Sequence, residues 1–259
     1  MHPSRSSSSK PAFALLIAGL LAATACTGQR PSLTDDTSPS AEQSSTTTAS
    51  DTGTETTEAA QAAGDEIAVY PDATTTEPTQ TITAAEAAAS PDVPITFLVK
   101  DRSGGRIEVY LPVEPPGSTG WVDAAEVTVS MVDYRVELSL SGRWLRVFER
   151  GQVILDEPTA VGSGDDVPAP GGIYYLKELL QPPDPTGPYG TYAYGLSGFS
   201  SSQSSFTSGE GIVGLHGTAD ESSIGGDVDS GSVALADDVL ARMVNEIGLP
   251  LGTSVDVLP

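Results

Sequence analysis

The stretch from Leu215 to Val233, LHGTADESSIGGDVDSGSV, decides how the rest of the chain is interpreted. It contains His216, the only histidine apart from His2, together with Asp229 and Ser232. A lone histidine is usually structural, but serine, histidine and aspartate are also the side chains of a nucleophile, a base and an orienting acid. A Ser232–His216–Asp229 relay is therefore one hypothesis, although the Gly-x-Ser-x-Gly turn that often presents such a serine is missing from the sequence.

Residues 1–25 have the pattern of an export signal. Arg5 and Lys10 precede an apolar run over residues 12–25, which is too short to cross a bilayer about 30 Å thick. The only cysteine, Cys26, follows small residues and precedes a polar segment, an arrangement that resembles the lipidation motif of bacterial lipoproteins. We therefore expect export and lipid anchoring at Cys26, on the outer face of the bacterial cytoplasmic membrane or in the cell wall. The alternative is cleavage that leaves an unmodified cysteine at the new N-terminus.

Residues 26–64 are predicted to form a disordered, acidic tether rich in serine and threonine. They contain almost no large apolar side chains, so they bury too little surface to offset the entropy of ordering. The whole chain has a formal net charge of −23. Because this charge repels phosphate backbones, we expect no nucleic-acid partner.

A small β-domain is predicted over residues 65–130. Its short strand-like runs are separated by Ser/Gly and Pro/Gly turns and cover residues 95–100, 106–111 and 121–122. The segment Gly117–Val122 resembles the Gly-Trp-Val close of bacterial SH3-like modules, which implies a wall-binding role. The alternative is a supporting domain that packs on its neighbour.

Residues 131–259 are predicted to form a second, mainly β domain. Residues 134–140 and 144–149 alternate apolar and polar side chains with a period of two, which indicates a β-hairpin around Ser141-Gly142-Arg143. Only residues 237–247 have apolar side chains at helical spacing. The predicted fold class is therefore mainly β with a short C-terminal helix.

Several segments of this second domain resemble, in order and spacing, the catalytic domain of the L,D-transpeptidases, the YkuD-like family. They are the hairpin, Pro170-x-Gly172-x-Tyr174, Gly187–Gly190 with Leu196–Phe199, and the block from His216 to Ser232. The resemblance implies a β-sandwich that cross-links peptidoglycan: a cysteine thiolate attacks one stem peptide, and the amine of a second stem resolves the thioester. It places the catalytic centre at His216 and Ser232, and it implies substrate contacts from Gly217, Thr218, Gly231 and Tyr192. No cofactor is expected, and one available histidine without an available cysteine cannot make a usual zinc site.

The chain departs from the family pattern at four positions within six residues. Asp229, Ser230, Ser232 and Ala234 stand where the family has serine, histidine, cysteine and arginine. A cysteine is readily held as a thiolate, whereas a serine hydroxyl needs an aligned general base to remove its proton. Asp229 is also expected to favour the charged form of His216 and so to weaken it as a base.

These departures predict a catalytically degenerate domain, a pseudoenzyme that binds peptidoglycan stem peptides or a wall-synthesis protein. Two alternatives stay open at this point. One is a slow serine-dependent L,D-transpeptidase or carboxypeptidase, and the other is a purely structural envelope protein.

Overall fold

The computed structural model describes residues 56–88, 93–162, 167–199, 214–228 and 232–259. The predicted signal segment, Cys26, most of the predicted tether, Asp229 and Gly231 lie outside these residues. Within the described part of the chain, no helix is long and apolar enough to cross a membrane.

The first domain is built on a five-stranded antiparallel sheet. The strand order is β6-β5-β4-β1-β7, and β2 and β3 pair separately with each other. Phe97, Val109 and Val122 lie inside its core with no exposed surface. The domain is β, as predicted, and its SH3-like resemblance stays a prediction. Its elements are β1 (Thr57–Ala62), β2 (Glu66–Val69), β3 (Gln80–Thr83), α1 (Ala84–Ala87), β4 (Thr96–Ser103), β5 (Arg106–Tyr110), β6 (Thr119–Asp123) and β7 (Val127–Val132).

Strand β1 lies inside the segment 26–64 that we expected to be disordered, so that boundary is wrong by several residues. β1 pairs with β4 on one side and β7 on the other, and Ala59 and Ala60 are buried. The composition did not predict this strand, because alanine contributes little to a hydrophobic pattern. A small side chain suits this place, since Gly252 of the second domain packs directly against Ala59.

The second domain contains ten strands in the order β10-β9-β8-β17-β12-β13-β14-β16-β11-β15. The predicted hairpin is confirmed as β8 and β9, and the predicted C-terminal helix is confirmed as α2 followed by a π-helical turn over Met243–Ile247. The elements are β8 (Tyr134–Ser139), β9 (Trp144–Glu149), β10 (Gln152–Pro158), β11 (Ala160–Gly162), β12 (Ile173–Leu180), β13 (Ala193–Leu196), β14 (Gly214–Thr218), β15 (Asp227–Val228), β16 (Val233–Ala236), α2 (Asp237–Arg242) and β17 (Ser254–Leu258).

Strand β12 joins two halves of this sheet, β10-β9-β8-β17 on one side and β13-β14-β16-β11-β15 on the other. Its first residues pair with β17, and its later residues pair with β13. Buried side chains from both halves and from α2 meet in one hydrophobic core, which includes Val136, Leu145, Leu215, Leu235 and Leu240. This shared core agrees with the predicted mainly β sandwich, because each half buries one face against the other.

The two domains are in direct contact. The hydroxyl of the fully buried Tyr175 donates a hydrogen bond of 3.1 Å to the backbone carbonyl of Tyr110. Gly198 has a φ of 82°, and a Cβ atom at this position would lie 2.7 Å from Pro116. These contacts favour a supporting role for the first domain, while the wall-binding role stays a prediction.

Candidate functional site

Strand β14 carries His216 through the middle of the second domain. It pairs with β13 on one side and runs parallel to β16 on the other, so that His216 stands opposite Ala234. All five residues of β14 are buried. Ser232 lies directly before β16, whose first residue is Val233.

The side chain of His216 is held in one tautomer. Its Nδ1 atom lies 2.7 Å from the carbonyl oxygen of Gly217, and a carbonyl only accepts, so Nδ1 carries the proton and donates it. The Nε2 atom therefore presents a lone pair, and it has no hydrogen-bond partner among the described residues. The edge-on ring of Tyr189 has its centroid 5.1 Å from that of the imidazole.

Burial lowers the pKa of His216 below its ordinary value of 6.5, and the hydrogen bond to Gly217 opposes this shift only in part. The imidazole is only 3% exposed, so water cannot stabilise its charged form. This direction is opposite to the one we expected from Asp229, which lies outside the described residues. His216 is thus neutral near pH 7 and competent to accept a proton at Nε2.

Ser232 is fully buried, and its Oγ atom has no hydrogen-bond partner in the part of the chain that the structure describes. It therefore makes no hydrogen bond to Nε2 of His216, although both atoms lack partners. Its backbone carbonyl is anchored by the backbone amide of Gly162 at 2.8 Å. The serine–histidine pair of the relay is not assembled, and its acid, Asp229, lies outside the described residues.

A cavity of about 410 Å³ opens beside the imidazole, and we call it the His216 cavity. The sequence-predicted Thr218 lines it together with Ala234 at the family's arginine position. Ser232 is not among the described residues of its wall. The wall comprises Pro188, Tyr189, His216, Thr218, Asp220, Ser223, Asp227, Val228 and Ala234.

Two predicted substrate contacts have other roles among the described residues. Tyr192 packs against the main core, and its hydroxyl donates to the Oδ1 atom of Asn245 at 3.3 Å. The tyrosine that lines the cavity is Tyr189. Gly217 supplies the carbonyl that orients His216. A Cβ atom on Gly217 would collide with the carboxylate of Asp237, so any larger residue there would displace that carboxylate.

Asp237, at the start of α2, clamps the loop that carries Tyr189. Its carboxylate accepts a hydrogen bond of 2.6 Å from the backbone amide of Thr191 and another of 2.6 Å from the Thr191 hydroxyl. Gly190, with a φ of 61°, lets the loop approach this carboxylate. Thr191 lies 46 residues from Asp237 in the chain, so no local sequence pattern indicates this contact.

Arg143, in the turn of the β8–β9 hairpin, holds the opposite wall of the cavity. Its guanidinium donates to the carbonyl of Gly226 and, at 2.6 Å, to the carboxylate of Asp227. Thr159 extends the link, since its amide donates to the Arg143 carbonyl and its own carbonyl accepts from Gly225. No sequence signal joins Arg143 to Asp227, which lie 84 residues apart. Among the described residues there is no cluster of three or more histidine, cysteine, aspartate or glutamate side chains that could hold a metal ion.

Comparison with known proteins gives matches to the second domain. The family model YkuD, the L,D-transpeptidase catalytic domain, matches residues 133–257. YkuD of Bacillus licheniformis, assigned as an L,D-transpeptidase, is 30% identical over 128 residues, which are 49% of this chain and 67% of that protein.

Solved structures give a weaker likeness. Bd1075 of Bdellovibrio bacteriovorus is 25% identical, with a TM-score of 0.36, over 48% of this chain and 47% of its own. A cysteine-to-serine mutant of the Enterococcus faecium L,D-transpeptidase is 19% identical, with a TM-score of 0.36, over 48% of this chain and 49% of its own. The chain thus spans about half the length of these two structures.

Proposed function

Because the chain belongs to the YkuD family of L,D-transpeptidase catalytic domains, we propose that it binds peptidoglycan stem peptides in the His216 cavity without joining them. The observation that carries this proposal is the state of Ser232. The residue at the nucleophile position is fully buried, and its Oγ atom makes no hydrogen bond to His216 or to any other described group.

A buried serine without a hydrogen-bonded base is a poor nucleophile. The hydroxyl must lose its proton as it attacks, and this requires the base within about 2.6–3.2 Å. Ala234 also leaves the site without the cation that the family carries at this position, so an anionic substrate group has no fixed partner there. Binding remains supported, because the cavity, the oriented imidazole and the two loops that wall it are in place.

A slow serine-dependent reaction is the second candidate, and one observation favours it. His216 is neutral, oriented by Gly217 and unpartnered at Nε2, which are the properties of a general base. A rearrangement that brought the Ser232 Oγ atom within hydrogen-bond reach of Nε2 would pair nucleophile and base. Turnover then depends on a conformational change that stem-peptide binding would have to drive.

We further propose that the protein works in the cell envelope, exported and anchored through a lipid on Cys26. The support is the sequence pattern of residues 1–26 and the envelope substrate of the family. The mass of the protein extracted from membranes tests this, because acylation at Cys26 adds hydrocarbon mass that a Cys26→Ala variant lacks. Release of both forms into the soluble fraction would contradict anchoring.

The central experiment combines binding and turnover on the protein without residues 1–25. A peptidoglycan tetrapeptide is titrated by calorimetry, and the same peptide is then incubated with an amine acceptor and analysed by mass spectrometry. We expect saturable binding and an intact peptide. Released D-alanine or a cross-linked product, lost in a folded His216→Ala control, would replace the proposal with serine chemistry, and the absence of binding would refute both.

A further inference from the structure

One wall of the His216 cavity is formed by β15, a strand of two residues at the edge of the sheet. Among the described strands, β15 pairs with β11 alone. Two backbone hydrogen bonds attach the turn before it, one from the Val161 amide to the Gly226 carbonyl and one from the Gly225 amide to the Thr159 carbonyl. Because so few backbone bonds hold this wall, a side-chain contact from another element has a large effect on its position.

Arg143 supplies such a contact from the turn of the β8–β9 hairpin. Its guanidinium donates to the carbonyl of Gly226 and to the carboxylate of Asp227, so one planar group holds two successive residues of the chain. Asp227 is 78% exposed, and water screens its ion pair with Arg143. The bond to Gly226 is partly buried and holds the backbone itself. Arg143 therefore fixes the direction in which the chain enters β15.

The backbone of Arg143 is strained in a way that glycine would relieve. Its φ is 51°, in the left-handed region that glycine adopts freely and other residues adopt at a cost. Glycine at this position would, however, lose both contacts with the wall. A strained residue whose side chain also links two elements distant in sequence is a candidate functional residue.

We infer that Arg143 is a positioning residue, which holds β15 in the place that lets a stem peptide bind in the His216 cavity. This inference rests on the proposed function and names a residue on which the affinity of the site depends. Arg143 itself is not among the described residues of the cavity wall, so it acts through Gly226 and Asp227. Without its guanidinium, a ligand would have to order this wall as it binds, and that ordering weakens binding.

The test compares Arg143→Gly with Arg150→Gly in the protein without residues 1–25. Arg150 is a close match, because its backbone is also left-handed, with a φ of 48°, and its guanidinium also pairs with an aspartate, Asp133. It lies in the turn between β9 and β10, and neither it nor Asp133 is among the described residues of the cavity wall. Both variants therefore remove one arginine–aspartate pair, relieve the same kind of backbone strain and change the net charge by one.

Calorimetry with a peptidoglycan tetrapeptide gives the affinity of each variant. We expect Arg143→Gly to bind the peptide about tenfold more weakly than the wild type, whereas Arg150→Gly should bind it as the wild type does. Arg143→Lys keeps the charge but lacks the planar fork that reaches both partners, so it should recover only part of the loss. A merely structural role for Arg143 would lower stability in urea unfolding and leave the affinity of the folded protein unchanged.

A second readout follows the wall without any ligand. Hydrogen exchange measured by NMR should be about tenfold faster at the amides of Val161 and Gly225 in Arg143→Gly, because these amides make the backbone bonds that attach the turn before β15. Arg150→Gly should leave both exchange rates unchanged.

The outcomes separate this inference from the proposed function. Equal affinity of Arg143→Gly and the wild type for the peptide would overturn the inference while leaving stem-peptide binding intact. Unchanged exchange at Val161 and Gly225, or an equal loss of affinity in Arg150→Gly, would overturn it as well, because the effect would then not come from this wall. Failure of the wild type to bind the peptide would refute the proposed function itself, and the inference with it.

Discussion

Replacing Asp237 by alanine should detach the loop that holds Tyr189 against His216. The carboxylate accepts two hydrogen bonds from Thr191, both at 2.6 Å, and both are partly buried. Hydrogen bonds to charged groups contribute about 1.5–3 kcal/mol each, and an acidic residue in the first turn of a helix adds about 0.3–1 kcal/mol. Water can hydrogen-bond to the Thr191 amide and hydroxyl once the carboxylate is removed, and this offsets part of the loss. We therefore expect the free energy of unfolding to fall by about 3 kcal/mol.

Urea unfolding of the protein without residues 1–25 measures this change, and two further variants apportion it. Thr191→Val removes the hydrogen bond from the hydroxyl to Asp237 and keeps the one from the backbone amide. It should therefore lower the free energy of unfolding by about 1.5 kcal/mol. The double variant should lose little more than Asp237→Ala alone, because one partner is already gone. Asp238→Ala removes the exposed neighbouring acid of the same helix turn and should cost only about 0.5 kcal/mol.

A second readout follows the ring contact directly. His216 is the only histidine left once residues 1–25 are removed, so its imidazole protons give one isolated set of NMR signals. The edge-on contact with Tyr189 should shift these signals, and Asp237→Ala should move them while Asp238→Ala does not. A loss of stability in Asp237→Ala no larger than in Asp238→Ala, with unmoved histidine signals, would refute the clamp.

Three further predictions concern buried polar groups. Burial lowers the pKa of His216 below 6.5, so the unfolded protein binds the extra proton first as the pH falls below about 6.5. The free energy of unfolding of the wild type should then fall by up to about 1.4 kcal/mol per pH unit relative to His216→Gln, and a pH-independent difference in urea unfolding would contradict this. Lys177 is buried 4.0 Å from the buried carboxylate of Glu178. Lys177→Met leaves that carboxylate without its cation and should lower the free energy of unfolding by about 3–5 kcal/mol, and adding Glu178→Gln should recover most of this loss in the same urea assay. Ser232→Cys should give no cross-linked product by mass spectrometry, because the new thiol is buried and Ala234 still leaves out the family's cation; turnover typical of the family would show that the nucleophile alone was missing.

The sequence predicted the hairpin and the C-terminal helix because their side-chain periodicity is strong. In the hairpin, Val136, Leu138, Leu145 and Val147 are spaced by two and all are fully buried. Strand β1 was missed because its buried residues are alanines, and a composition rule for disorder cannot distinguish alanine in a spacer from alanine in a crowded sheet. Its order comes from pairing with β4 and β7, which are distant in sequence.

The site was predicted only as far as a local motif extends. In the structure, His216, Thr218 and Ala234 of this motif line one cavity, because two parallel neighbouring strands carry them. The same motif says nothing about Arg143 or Asp237, whose partners lie 84 and 46 residues away and are joined only by the fold. The direction of the His216 pKa shift was also beyond the sequence, since burial lowers this pKa and the depth of the imidazole is known only from the fold.

In this domain the hydrogen bonds that shape the cavity are present, whereas the hydrogen bond between nucleophile and base is not formed. Hydrogen bonds hold each of the groups that shape the cavity: Asp237 fixes the Tyr189 loop, Gly217 fixes the imidazole and Arg143 fixes the loop that carries Asp227. The groups that would break and form a bond do not connect, because the Ser232 hydroxyl is buried and has no hydrogen-bond partner among the described residues. This disconnection is why we propose that the site, whose walls are held in place, binds a ligand without consuming it.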